Sequence, residues 1–222
     1  MNQARVIARP YGTTVETNKV LRNTYMLLAL TLLFSAVVAG VSMSMDLPRW
    51  TGLVCSIGAM LLMWFVLPKT ANSAAGIGVV FAITGLLGLG LGPLLSMYMG
   101  LPSGPQHVTL ALGGTAVIFL GLSGYALVTK RDFSFLGGML MVGFLVVLVA
   151  AIVNIFLAIP AVTLAISAAI IMIMSGFILF DTSRIINGGE TNYVMATVSL
   201  YLSIYNIFVS LLQILGIMGS DE

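Results

Sequence analysis

Five polar residues, Ser199, Ser203, Asn206, Ser210 and Gln213, recur in "YVMATVSLYLSIYNIFVSLLQILGIM" (193–218) at spacings of four, three, four and three. At about 100° per residue they fall within an arc of roughly 80°, so a helix carries them as one stripe, with Tyr201 and Tyr205 pointing to the other side. Hydroxyls and amides can relay protons, coordinate a cation or bond a neighbouring helix. In an apolar segment such a stripe should not face lipid; it either hydrogen-bonds adjacent helices or lines a wetted cavity. Serines bond back to their own helix readily, whereas the amides of Asn206 and Gln213 need partners elsewhere. That requirement places the last helix at the centre of a bundle, enclosed by the others.

Asp181 is the second chemical group. It follows twenty uncharged residues, 161–180, in "GFILFDTSRIINGGETNY" (176–193), and only Arg184 and Glu190 carry charge in the twelve residues after it. Gly188 and Gly189 allow a tight reversal that brings Asp181 close to the start of the polar stripe. Arg184 lies three residues on, at helix-neighbour spacing, so one expectation is a local Asp181–Arg184 pair near the headgroups. The alternative is a partly buried carboxylate whose protonation toggles contacts across the sixth and seventh helices. Candidates for pH sensing or an ion pathway are therefore Asp181, Arg184, Ser199, Ser203, Asn206 and Ser210.

Other groups offer less. His107 is the sole histidine and stands at a helix start; a lone imidazole there reads as an interfacial residue rather than a metal ligand. Asn154 is an amide inside an apolar run, expected to bond another helix. Cys55 is the only cysteine, which leaves no disulfide framework and no thiolate metal site. No nucleophile with a base, no carboxylate pair within the membrane and no phosphate loop is discernible, so neither an enzyme nor a metal or other cofactor is expected, and nothing points to nucleic acid.

The elements that must position these groups follow from composition. Of 222 residues, 59% are hydrophobic and 7% charged, where soluble domains carry about a quarter charged residues. Mean hydropathy is +1.12. Seven uncharged runs, approximately 25–45, 50–67, 74–99, 107–128, 135–159, 161–180 and 193–218, are each long enough to cross a bilayer as a helix. They lack the alternation of barrel strands, so the expected fold class is all-α: a polytopic integral membrane protein with seven transmembrane helices. Arg5, Arg9, Lys19 and Arg22 precede the first run, Lys69, Lys130, Arg131 and Arg184 lie in the loops after the second, fourth and sixth, and Arg49 alone lies in the other loops. That asymmetry predicts a cytoplasmic N-terminus and a C-terminus, with Asp221 and Glu222, on the periplasmic side.

The first run is long, begins only at residue 25 and is followed by no small-residue cleavage pattern, so it reads as a membrane helix rather than a signal peptide. Residues 1–24 read as a cytoplasmic tail, residues 25–218 as one membrane domain and 219–222 as a short external tail. The basic tail, with Arg5, Arg9, Lys19 and Arg22, is long enough for a cytoplasmic partner to grip. In "TGLLGLGLGP" (84–93), the Gly88-xxx-Gly92 spacing predicts close helix packing, and Pro93 a missing backbone donor. Lys69, Ser73 and Gly76 share their spacing with Lys130, Ser134 and Gly137, a faint echo suggesting two related helix triplets.

Six stretches together resemble a known family: "NKVLRNTY" (18–25), "KTAN" (69–72), "LGGTA" (112–116), "DFSFLGGML" (132–140), "ISAAIIMIMSGFILFDTSRIINGGETNY" (166–193) and "ATVSLYLSIYNIFVSLLQILG" (196–216). They are similar to bacterial members of the Bax inhibitor-1, or transmembrane Bax-inhibitor-motif, family. The resemblance implies seven helices with the last surrounded by two triplets, in the bacterial inner membrane. It also implies one of two functions. One branch is a substrate and modulator of FtsH, a membrane-anchored ATP-dependent protease. Other members behave as pH-sensitive calcium leak channels gated by aspartates on the last two helices. The first of those aspartates matches Asp181, but the position of the second holds Ser203. A hydroxyl releases no proton near neutral pH, so a coupled titration of two carboxylates cannot operate here in that form.

Overall fold

The computed structural model describes residues 14–219. The tail candidates Arg5 and Arg9, and the acidic Asp221 and Glu222, lie outside the described residues. Within them there are helices and turns and no strand. Seven helices are long and apolar enough to span a membrane: α1 (Thr14–Met43), α2 (Thr51–Thr70), α3 (Ala74–Met99), α4 (Gly104–Thr129), α5 (Leu136–Leu157), α6 (Pro160–Ile186) and α7 (Tyr193–Met218).

Each run becomes a helix, but hydropathy marks only its lipid-matched part. The first helix starts at Thr14, inside the expected tail, because no proline or glycine follows Gly12 in that stretch and Glu16 complements the positive helix start. Lys19 and Arg22 are therefore outward-facing side chains on a helix.

Two prolines shape the spans. In α2 the turn Leu62–Val66 widens to π geometry just before Pro68, whose ring cannot donate to the carbonyl four residues earlier and crowds it. In α3, Pro93 leaves the Leu89 carbonyl without its helical donor, and Ser42 of α1 supplies one, Oγ to O, at 2.7 Å. That bond needs close approach, which Gly88 and Gly92 provide. A Cβ on Gly88 would meet the Ser35 carbonyl oxygen at 2.6 Å, and one on Gly92 would meet Ser42 Oγ at 2.1 Å.

The helices form two groups of three on either side of α7. In one, α1 and α2 pack on α3; in the other, α4 and α5 pack on α6. The last helix packs on α6, α4, α1 and α3. Half of its most apolar window is buried, against 6% for α5, so α7 is the central helix and α5 is almost wholly turned to lipid. It is enclosed by four neighbours rather than six, since α2 and α5 sit outside α3 and α6. The spacing echo around Lys69 and Lys130 does not relate equivalent helices: it precedes α3, an inner helix, and α5, a peripheral one.

Hydrogen bonds tie the α2–α3, α4–α5 and α6–α7 connections together at one end. Asn192 Nδ2 donates to the Ala71 carbonyl at 3.1 Å and to Asn72 Oδ1 at 2.8 Å. Ser183 Oγ accepts from the Phe133 N–H at 2.9 Å and donates to the Arg131 carbonyl at 3.1 Å. Lys69, Lys130, Arg131 and Arg184 thus stand at a common end.

At the opposite end, the α5–α6 turn contains Ala158 at φ 51°. Asn154 fixes that turn, with Oδ1 accepting from the Ile159 N–H at 3.2 Å and Nδ2 donating to Thr163 Oγ1 of α6 at 2.8 Å. The expected interhelical bond of Asn154 is therefore present, between chain neighbours. Left-handed backbone costs alanine about 1 kcal/mol, so Ala158→Gly is expected to raise unfolding stability in detergent by roughly half to one kcal/mol. An unchanged denaturation midpoint would show the turn to be unstrained.

Candidate functional site

Asp181 and the polar stripe meet on the α6–α7 interface. Apolar runs carry both helices through the membrane, and the turn between them reverses at Gly188, whose φ of 72° is open to glycine. The α7 start is then fixed by Asn192, whose Oδ1 accepts from the N–H groups of Val194 at 2.9 Å and Met195 at 3.1 Å. This register puts Ser199 opposite Asp181. Ser199 Oγ donates to Asp181 Oδ2 at 2.5 Å, and the aspartate is only 8% exposed.

The expected Asp181–Arg184 pair does not form. Arg184 Nη2 instead donates to the Gly189 carbonyl at 3.1 Å and to Glu190 Oε2 at 3.4 Å, and its guanidinium lies over the Phe180 ring, 5.5 Å from the centroid. Chain reversal at Gly188 explains the choice, because it lays Glu190 alongside the last turn of α6. Glu190 Oε1 also accepts from the Asn192 N–H at 2.9 Å, so the guanidinium steadies the loop that caps α7. The Arg184 and Glu190 side chains form an ion pair that is partly open to solvent.

Farther along the stripe, the amides behave differently from one another. Asn206 Nδ2 bonds back to the Leu202 carbonyl at 2.8 Å, so this amide does satisfy itself within its helix, contrary to expectation. Gln213 Oε1 accepts from Ser167 Oγ of α6 at 3.0 Å, as an interhelical partner. Ser203 is buried and donates to the Ser199 carbonyl at 3.2 Å; Ser210 is also buried. The stripe is thus pinned to α6 near both ends, and between them Ser203 and Asn206 bond back to α7. In the position where a second carboxylate is expected, Ser203 offers a hydroxyl already engaged with backbone.

The other face of α7 holds a second polar contact. Ser35 and Tyr201 share a hydrogen bond of 2.5 Å between their hydroxyls, and the Tyr201 hydroxyl lies 3.4 Å from the Thr84 carbonyl, joining α1, α7 and α3. Thr197 Oγ1 donates to the Tyr193 carbonyl of its own helix at 2.7 Å and lies 3.3 Å from the Thr24 carbonyl of α1, and Tyr25 is hydrogen-bonded to Ser123 of α4. These partners are not anticipated from the stripe alone. A signal exists in α1: Thr24, Thr31, Ser35 and Ser42 recur at spacings of seven, four and seven, and all four are buried. Outside the membrane spans, the Asp132 carboxyl is held below its usual range by hydrogen bonds from Ser134, whose N–H lies 2.8 Å from Oδ1.

Comparison with known proteins places this geometry. The family profile "Inhibitor of apoptosis-promoting Bax1" matches residues 17–220. The Escherichia coli K12 protein named "Modulator of FtsH protease YccA" is 52% identical over 219 residues, covering 98% of this chain and 99% of that protein. A Vibrio cholerae membrane protein is 48% identical over 209 residues, 94% of each chain. A Helicobacter pylori protein is 33% identical over 174 residues, 78% of this chain and 74% of its own. With seven spans, a central last helix and a family match that takes in every one of those spans, this chain belongs to the Bax inhibitor-1 family.

Proposed function

We propose that this chain is a multi-pass inner-membrane protein that modulates an FtsH-type membrane-anchored protease, acting as a slowly extracted substrate. The observation that carries the reading is the 52% identity, end to end, with the named FtsH modulator of Escherichia coli. Its basic end, with Lys19, Lys69, Lys130 and Arg184, faces the cytoplasm in this reading, because basic loops resist translocation. Residues 1–13, with Arg5 and Arg9, are the handle that the protease seizes, and α1 is the first helix it must withdraw.

Physical support comes from how α1 is held. Contacts with Ser123, Tyr201, Leu89 and Thr197 tie its length to α4, α7 and α3. Extraction must break them in a medium with no water to replace them, so a pulling enzyme engages the chain and is detained by it. The test is degradation of a second membrane substrate by purified FtsH in liposomes, with and without the full chain. Slowed degradation is expected, together with a several-fold longer lifetime for a variant lacking residues 2–13. Unchanged degradation of the second substrate would sink the modulator reading; an unchanged lifetime would sink only the handle.

A calcium or proton leak is the other activity implied by the family resemblance. It would use Asp181 without a carboxylate partner, since Ser203 stands in the second position. Flux through liposomes containing the natural chain, abolished by Asp181→Asn, would support that activity and displace the protease reading.

A further inference from the structure

A cavity of about 240 Å³ opens at the end of the bundle opposite the basic loops, between α2, α3 and α7. Two glycines line it. Gly52 and Gly90 face one another so closely that a Cβ on Gly52 would meet the Gly90 carbonyl oxygen at 3.1 Å, and the cavity lies beside this crossing. Tyr205 and Val209 of α7 form the inner wall, and Met97 of α3 lies along the side. At the rim stands Arg49, the one basic residue in the loops at this end. Its side chain is outward-facing and has no ion-pair partner among the described residues; Asp46, three positions earlier, is exposed and not paired with it. Trp50 follows it, 66% exposed, as an aromatic at the membrane interface does.

We propose that this cavity holds the headgroup-proximal segment of one acyl chain of an anionic phospholipid, with the lipid phosphate on Arg49. The arrangement matches the molecule: a slot with a largely apolar lining that runs inward along α2, α3 and α7, and at its mouth a guanidinium with no acidic partner among the described residues. The volume is below that of a typical drug-sized pocket, which suits a segment of one chain rather than a compact ligand. A lipid seated there fills the gap between α2 and α7, so it supports the corner of the bundle that protein side chains leave open.

The experiment is native mass spectrometry of the full chain released from bilayers containing equal phosphatidylglycerol and phosphatidylethanolamine. The natural chain is expected to retain phosphatidylglycerol by about fivefold over phosphatidylethanolamine, the preference one surface arginine can supply. Arg49→Gln should remove that preference, and Val209→Trp, which fills the inner cavity while keeping Arg49, should reduce retention of both lipids. Equal retention by the natural chain overturns the proposal. So does a preference that survives Arg49→Gln, because the headgroup would then be read by the basic end of the bundle.

Discussion

Replacing Gly92 with leucine is expected to lower the unfolding stability of the purified chain by about 3 kcal/mol. The first atom added, Cβ, would meet Ser42 Oγ at 2.1 Å, Ser42 Cβ at 2.4 Å and the Ser42 backbone carbon at 2.8 Å. A side chain could swing away, but this one is engaged: Ser42 Oγ holds the Leu89 carbonyl that Pro93 cannot serve. Rotating Ser42 leaves a backbone acceptor unpaired in the membrane, and keeping it forces α1 and α3 apart. One turn earlier, Gly88 faces backbone as well, with Ser35 O at 2.6 Å, so helix separation cannot be confined to one site. A control lies on α4, where a Cβ on Gly121 meets nothing within 4 Å. Gly121→Ala is expected to be neutral or to stabilise by up to about 1 kcal/mol through helix propensity. Denaturant unfolding in mixed micelles, followed by circular dichroism, measures both. Equal midpoints for Gly92→Leu and the natural chain would mean that the α1–α3 contact yields without cost.

The glycine contact is legible in the sequence, because Gly88-xxx-Gly92 is a local spacing with a local consequence. The seven spans are legible for a similar reason: a bilayer imposes a minimum apolar length, and each run exceeds it. Helix ends are not legible in this way. Hydropathy falls at residue 24, yet the backbone of 14–24 has no reason to leave the helix, so α1 extends beyond the lipid-matched run. The central place of α7 follows from its polar face, while the number of its neighbours depends on how the other helices pair.

Side-chain partners divide along the same line. Asn206 could bond another helix or its own, and only the packed neighbours decide; Gln213 faces Ser167 and takes the interhelical choice, whereas Asn206 closes on Leu202. Arg184 had an acidic neighbour at helical spacing and another across the turn. Spacing favours Asp181, but the reversal at Gly188 brings Glu190 within reach, and pairing there keeps the guanidinium at the polar end of α6. The result separates the two carboxylates by role. Glu190 secures the loop and the α7 start, and Asp181 remains inside with a hydroxyl donor.

That separation makes the Asp181–Ser199 contact the more consequential of the two. Ser199→Ala is expected to cost about 2 kcal/mol, because it deletes the donor while leaving Asp181 buried. Asp181→Asn should cost about half as much, since its carbonyl oxygen can still accept from Ser199 while its amide must seek a new partner. The double replacement Asp181→Ala with Ser199→Ala removes donor and acceptor together, so its cost should fall well short of the sum of Asp181→Ala and Ser199→Ala made singly. By contrast, the Arg184–Glu190 pair is partly exposed, and its coupling should stay below about 1 kcal/mol. Unfolding midpoints for the two double-mutant cycles, measured at one pH in the same micelles, give the comparison. Additive losses at Asp181 and Ser199 would mean the two side chains do not depend on each other. Strong coupling there and weak coupling at Arg184 would identify the α6–α7 junction as a contact held from within, so that whatever disturbs α6 is felt by the central helix.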